Sequence, residues 1–314
     1  MKDHFTATAV SCADCRVQFG AAAGIGLTDG RPVLRVALPL LGGAGSEALL
    51  ANSSGPAERE GCTVFEDRVR LAGFATAPAA LELEAAAVEL YGRLFAVTAG
   101  RHLYRVWNYV PRINDHVHGL ENYQAFCRGR SLAFERKFGR AFQRVLPAAS
   151  AVGAVTGPLA IGFVAGPAEP RHFENPSQVP AFEYPREYGP RPPSFSRATV
   201  IGEGNARQIF ISGTAAIRGH ATVAAGDIDG QLTCTLGNLA LVGQATGVGS
   251  QLGRPGGWRR AFKVYLRHAS DFSRVRARLD RELLRPDDTV SYLHADICRA
   301  ELLVEIEAVL AAAG

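Results

Sequence analysis

Thiols, methionine and tryptophan are scarce in this chain of 314 residues, which has six Cys, one Met and two Trp. Six cysteines are too few to staple a chain of this length, so they read as reduced thiols in a cytoplasmic protein held by a core. Charge of one sign is also missing. Lys and Arg number 34 against 30 Asp and Glu, and the net +4 is spread along the chain. That excludes a nucleic-acid platform but leaves room for a small anion held by a few arginines. No stretch reaches the roughly 18 uninterrupted apolar residues of a membrane helix, so no membrane partner is expected. The opening Met1-Lys2-Asp3-His4-Phe5 has an early acid and no apolar run behind it, unlike a secretory signal. Metal-ligand spacing occurs once, at Cys12 and Cys15, with no second pair to complete the four ligands of zinc. His116 and His118, two apart, suit a strand better than one helix face. Neither a metal nor a cofactor is expected.

What the chain does have is apolar residue content, 47% of the total against 20% charged, enough for one large core or two smaller ones. Residues 77–97 carry Leu81, Leu83, Ala86, Val88, Leu90 and Leu94 mostly on one broad face, a helix that Gly100 stops. Residues 102–110, rich in Tyr, Val and Trp, read as a strand ended by Pro111. Beyond a polar loop at 114–119, Leu120, Tyr123, Phe126, Cys127, Arg130 and Phe134 recur at helical steps. The second half follows the same order: a helix over 232–245, a glycine-rich break at 247–257 and a strand around Phe262, Val264 and Leu266. A helix capped by Ser270-Asp271 comes next, then strands over 289–297 and 302–310. This order predicts a duplicated α+β unit, divided into residues 1–145 and 146–314.

Between the halves, residues 166–197 hold eight prolines, which exclude a helix or central strand there. A mere linker would be blander than Tyr184-Pro185-Arg186 and Tyr188-Gly189-Pro190-Arg191, so a working loop is expected. Four other features could carry chemistry. Arg128 and Arg130 flank Gly129 on the second helix. Arg130 shares the apolar register and should point inward, where its planar fork can bind a carboxylate. Ser212-Gly213-Thr214 follows the apolar strand Ile209-Phe210-Ile211 and can turn backbone N–H groups toward an anion, although such turns also close ordinary hairpins. Near the end, alternation separates Val304, Ile306 and Ala308 from Glu305 and Glu307. A carboxyl held near apolar surface becomes a general acid; the plainer reading is a polar outer face. Cys298, closing the preceding strand, is by itself an ordinary core thiol.

Together these segments resemble the YjgF-like (reactive-intermediate deaminase) fold, and more specifically the chorismatases. The resemblance is carried by Val106-Trp107-Asn108-Tyr109-Val110-Pro111 and by Tyr123 through Arg130. It continues through Tyr184-Pro185-Arg186 to Arg197, Ser212-Gly213-Thr214-Ala215 to His220, and Cys298 to Glu305. It implies two tandem YjgF-like (chorismate-mutase-like) α+β units, each a mixed sheet covered on one face by helices, in a monomer or homotrimer. It also implies cleavage of chorismate to 3-hydroxybenzoate and pyruvate, with Glu305 protonating the enol-ether methylene. Arg130 and Arg191 would hold the two carboxylates, with Tyr184 and the Ser212-Gly213-Thr214 turn completing the pocket. Cys298 and Gly213 match the pair that marks the 3-hydroxybenzoate-forming type, while Ala221 stands where a polar residue is usual. Other readings open at this point are a hydrolytic chorismatase giving a dihydroxycyclohexadienoate, with 4-hydroxybenzoate as a further possible product, an imine deaminase of the parent fold, and a protein that only binds a small acid.

Overall fold

Ala77, ahead of Pro78, continues strand pairing by donating to the Leu159 carbonyl, and Leu81 stays exposed. The helix expected over 77–97 therefore begins only at Leu83 and runs to Val97 (α1). This is seen in a computed structural model in which residues 13–313 are described; Cys12 lies outside them. Strand His102–Pro111 follows, then helix Asn122–Phe138 (α2) and strand Ala148–Ala154, parallel to the first. The chain returns antiparallel as Ala160–Gly166 on the other side of His102–Pro111.

The second half repeats this topology. Helix Ile228–Ala245 (α3) leads to strand Trp258–Leu266, helix Phe272–Glu282 (α4) and the parallel strand Thr289–His294. Val304–Ala312 then returns antiparallel beside Trp258–Leu266. Asp271 stands at the start of α4 without a side-chain capping bond, in a short 3₁₀ turn, so the expected cap is positional only.

Two sheets result, ten-stranded and seven-stranded. The first includes Ala148–Ala154 and Ala160–Gly166 on either side of His102–Pro111, so the division at 145/146 separates strands that pair in one sheet. The sequence division places these two strands with the second half, although the proline-rich stretch at 166–197 begins only after them. Each sheet also captures a short strand from the other half: Leu40–Gly43 pairs with Thr289–His294, and Asp296–Ile297 with Ala148–Ala154.

The sheets lie face to face, each with a helix pair outside. One core lies under α1 and α2, around Leu90, Tyr91, Phe126 and Phe134; another under α3 and α4, around Leu232, Leu239, Val275 and Ile306. A third joins the sheets through Phe65, Phe74, Trp107, Phe210, Tyr265 and Leu293. Helices α1 and α2 meet closely at Gly129, where a Cβ would collide with the Glu84 carbonyl and the Ala87 methyl. That contact turns Arg128 outward onto Glu84 and Arg130 inward.

Candidate active site

A cavity of about 330 Å³ opens where α2, the proline-rich loop and the ends of both sheets converge. That is room for one small organic acid. Of the residues expected to form a site, Glu305, Cys298, Arg130, Tyr184 and Gly213 line it.

Glu305 lies on Val304–Ala312, a central strand between Gln208–Ala215 and Trp258–Leu266. Both faces of this strand are covered: Ile306 and Ala308 pack under α3 and α4, and the glutamate face turns toward the first sheet. The outer polar face that alternation also allowed is therefore absent, and Glu305 is only 4% exposed. Burial, and then the neighbouring negative charge of Glu307, push its carboxyl up to about 8, against the opposing pull of Arg105 and Arg197. The group is a neutral acid at neutral pH.

Gly213 sits in an irregularity of the strand Gln208–Ala215, between Ile211 and Thr214. A Cβ there would overlap Oε1 of Glu305 and press on Ser150 Cβ at 3.2 Å. The glycine makes room for the acid. Ser212 and Thr214 do not line the cavity. The Ser212 hydroxyl accepts from Ala149 N at 2.8 Å and donates to the Ser196 carbonyl at 2.6 Å, and Thr214 donates to the Ser212 carbonyl. Their hydroxyls tie down the irregular strand.

Arg130, 2% exposed, stacks its guanidinium on Tyr91 at 5.2 Å and Phe134 at 5.7 Å. Its Nε and Nη2 have no hydrogen-bond partner among the described residues, and no carboxylate pairs with it there. A buried, unneutralised guanidinium on a cavity wall is built for an incoming anion. Arg191 is different. It ion-pairs with Glu135 at 2.6 Å on the half-exposed rim and lies outside the cavity lining.

Two arginines that sequence reasoning passed over take that place. Arg197, at the end of the proline-rich loop, donates through Nη2 to the Tyr184 hydroxyl at 2.8 Å. Its charge is only loosely met by Glu174, 3.8 Å away. Arg299 stacks on the Tyr188 ring at 3.9 Å and donates to the His220 carbonyl. The only available signal was position, Arg197 ending a segment already singled out and Arg299 following Cys298. Cys298 is held as the neutral thiol: burial first, and Glu305 second, push it up to about 12. The described residues contain no cluster of groups able to hold a metal ion, and buried Cys15 has its thiol raised far above the ordinary range.

A family model described as chorismatase FkbO/Hyg5-like, N-terminal, matches residues 50–165. A 3-hydroxybenzoate synthase of Streptomyces hygroscopicus is 41% identical over 220 residues, 66% of this chain and 63% of the relative. A chorismatase of Streptomyces rapamycinicus is 41% identical over 67% of this chain and 64% of its own length. These alignments thus span a little under two thirds of both relatives. A crystal structure of a chorismatase superposes with a TM-score of 0.83 and 30% identity, covering 98% of this chain and 95% of that one.

Proposed function

The chain belongs to the chorismatase family, and from that premise we propose that it cleaves chorismate to 3-hydroxybenzoate and pyruvate. The observation that carries this reading is a neutral carboxyl, Glu305, in the wall of a cavity that also presents Arg130, Arg197 and Arg299.

Chorismate bears a ring carboxylate and a second carboxylate on its enolpyruvyl ether. Arg130, with free donors, takes one; Arg197, oriented by the Tyr184 hydroxyl, takes the other. Glu305 gives its proton to the methylene carbon, which becomes the methyl group of pyruvate, and the positive charge formed at the ether carbon is matched by the new carboxylate. The neighbouring ring hydroxyl attacks the ether-bearing carbon as the ether oxygen departs with pyruvate; its proton returns to the Glu305 carboxylate, and an epoxide spans the two ring carbons. The epoxide opens by breaking its bond to the former hydroxyl carbon, its oxygen takes up a proton as the ether-bearing carbon gives one up, and the ring becomes aromatic with its hydroxyl where the ether stood. Protons taken up equal protons released, no water is consumed, and the acid is restored. A group titrating near the working pH suits both halves of that cycle. The Cys298 thiol donates a hydrogen bond to the epoxide oxygen as its bond to the former hydroxyl carbon breaks. The match of Cys298 and Gly213 to the pair typical of 3-hydroxybenzoate formers supports the aromatic product, as does the name of the Streptomyces hygroscopicus relative.

Incubating the protein with chorismate and identifying the acids formed tests the proposal. Equal amounts of pyruvate and 3-hydroxybenzoate are expected; a non-aromatic diol as sole partner of pyruvate overturns it.

A further inference from the structure

Behind Glu305, between the two sheets, lies a buried ionic cluster whose hydrogen bonds, among the described residues, reach the cavity wall at Ser150. Glu307, two residues along the same strand face, accepts from Arg105 Nη2 at 2.7 Å, Trp107 Nε1 at 2.7 Å and Lys263 Nζ at 2.7 Å. Lys263 also pairs with Glu47, carried by the long strand Ser46–Arg59 of the first sheet. Arg105 Nη2 closes the link to the cavity by donating to Ser150 Oγ at 3.0 Å. Two cations and two anions thus cancel without Glu305. An ionised Glu305 on the same strand face would add a negative charge that the cluster itself does not cancel.

We propose that Lys263 and Glu47 are positioning residues that fix the protonation state of Glu305 by holding this cluster at zero net charge. The inference rests on the proposed role of Glu305 as the acid. The charged groups facing Glu305 are Glu307 on its own strand, Arg105 on His102–Pro111, Arg197 from the loop and Arg130 on α2, with Lys263 and Glu47 beyond. Arg299 and Glu301 stand farther along the cavity wall. Cys298, Tyr109 and Tyr265 are neutral, since burial raises all three. Glu47 is the point of balance: burial, and the charge of Glu307, push its carboxyl up on the whole, against the pull of the touching Lys263 ammonium and of Arg105. In the proposal Glu47 is the ionised partner of Lys263 on the geometry of that ion pair, made by a side chain that retains 15% exposure on a cleft also holding Arg16.

Charge balance makes a prediction that packing alone does not. Glu47→Gln leaves the cluster with excess positive charge, so Glu305 ionises more easily and titrates lower. Lys263→Met leaves excess negative charge, so Glu305 titrates higher. Each shift is expected to be on the order of half a pH unit or more. The double variant, neutral again, should return close to the wild-type value. Two readouts separate failure of this inference from failure of the proposed function. The first is the pH profile of kcat with chorismate. The second, independent of turnover, is the infrared band of the protonated carboxyl, assigned to Glu305 by its loss in Glu305→Gln. Opposite shifts with restoration in the double variant support the inference. Shifts of the same sign, or no shift in either variant, overturn it. Absence of turnover in the wild type counts against the proposed reaction and leaves the infrared titration to decide the cluster.

Discussion

The carboxyl of Glu305 occupies space that a side chain at Gly213 would need, with Oε1 overlapping the volume of a Cβ there. Two neighbouring strands thus define the acid's position jointly, one by supplying the carboxyl and the other by lacking a side chain. Gly213→Ala should leave the fold intact, since the displaced carboxyl borders a cavity and can swing into it. Misplacing a reacting group by about 1 Å costs on the order of 100-fold in rate. A loss of that size in kcat with chorismate is expected, with a much smaller change in ligand affinity. Unchanged kcat would show that the acid works from another position.

Because the acid must be neutral in the free enzyme, kcat/KM should fall about tenfold per pH unit above a pKa of about 8. Glu305→Gln should abolish turnover and still bind ligand. The same group governs stability. Its folded pKa is raised above that of the unfolded chain, so from about pH 4.5 to about pH 8 the native state binds the extra proton and stability declines as pH rises. Above that window Glu305→Gln should be the more stable protein. Thermal melts of the two proteins from pH 5 to 9 measure this, and parallel curves would contradict a neutral Glu305.

Arg130 is a charge held in the core without a carboxylate, which costs stability in the empty protein. Arg130→Met keeps the stacking volume against Tyr91 and Phe134 and removes that cost. The variant should melt no lower than wild type while binding the substrate about 10- to 100-fold more weakly, the worth of a charge-assisted contact. A variant that melts lower and binds normally would mark Arg130 as structural.

How far the sequence told this story differs by residue. The helices and strands of the two repeats were legible because period and punctuation agree from Leu83 onward, and Arg130 was legible because it shares a helical register with Phe126 and Phe134. Glu305 and Glu307 were visible as one strand face, but alternation cannot say whether that face meets water or a second sheet; the stacking of the two sheets decides it. Arg197 and Arg299 lie in irregular segments with no register to read. The sequence reading prefers Arg191 to Arg197, six residues away in the same loop, yet the fold turns Arg191 toward Glu135 and Arg197 toward Tyr184. Before residue 77 the strand Ala13–Gly20 alternates, burying Cys15, Val17 and Phe19, while Cys62–Glu66 and Leu71–Thr76 are buried on both faces, and the sheet they share with Ala160–Gly166 depends on long-range pairing.

Arg191 provides the matching negative prediction. Its pair with Glu135 is about one-third exposed on both sides, and screened pairs of this kind contribute at most about 1 kcal/mol. Arg191→Ala should change kcat and KM for chorismate by less than about threefold, in contrast to Arg197→Ala, whose guanidinium borders the cavity. Equal losses in the two variants would return Arg191 to the site.

Cys298 separates the two fates open to the protonated substrate. Its thiol is neutral, so it acts by hydrogen bonding and by filling space. In Cys298→Ala the sulfur leaves a gap beside Glu305 and Arg299, in a wall polar enough to hold a water molecule. Water at that point can add to the cation before the ring rearomatises. Its oxygen bonds to carbon, its proton goes to the Glu305 carboxylate, and pyruvate leaves with a dihydroxycyclohexadienoate instead of 3-hydroxybenzoate. Pyruvate release should therefore continue while the aromatic share of product falls. Cys298→Ser, nearly the same size and still a donor, should retain more aromatic product than the alanine variant. Chromatography of the acids formed by the three proteins reads the ratio directly, and an identical ratio in all of them would remove Cys298 from product choice.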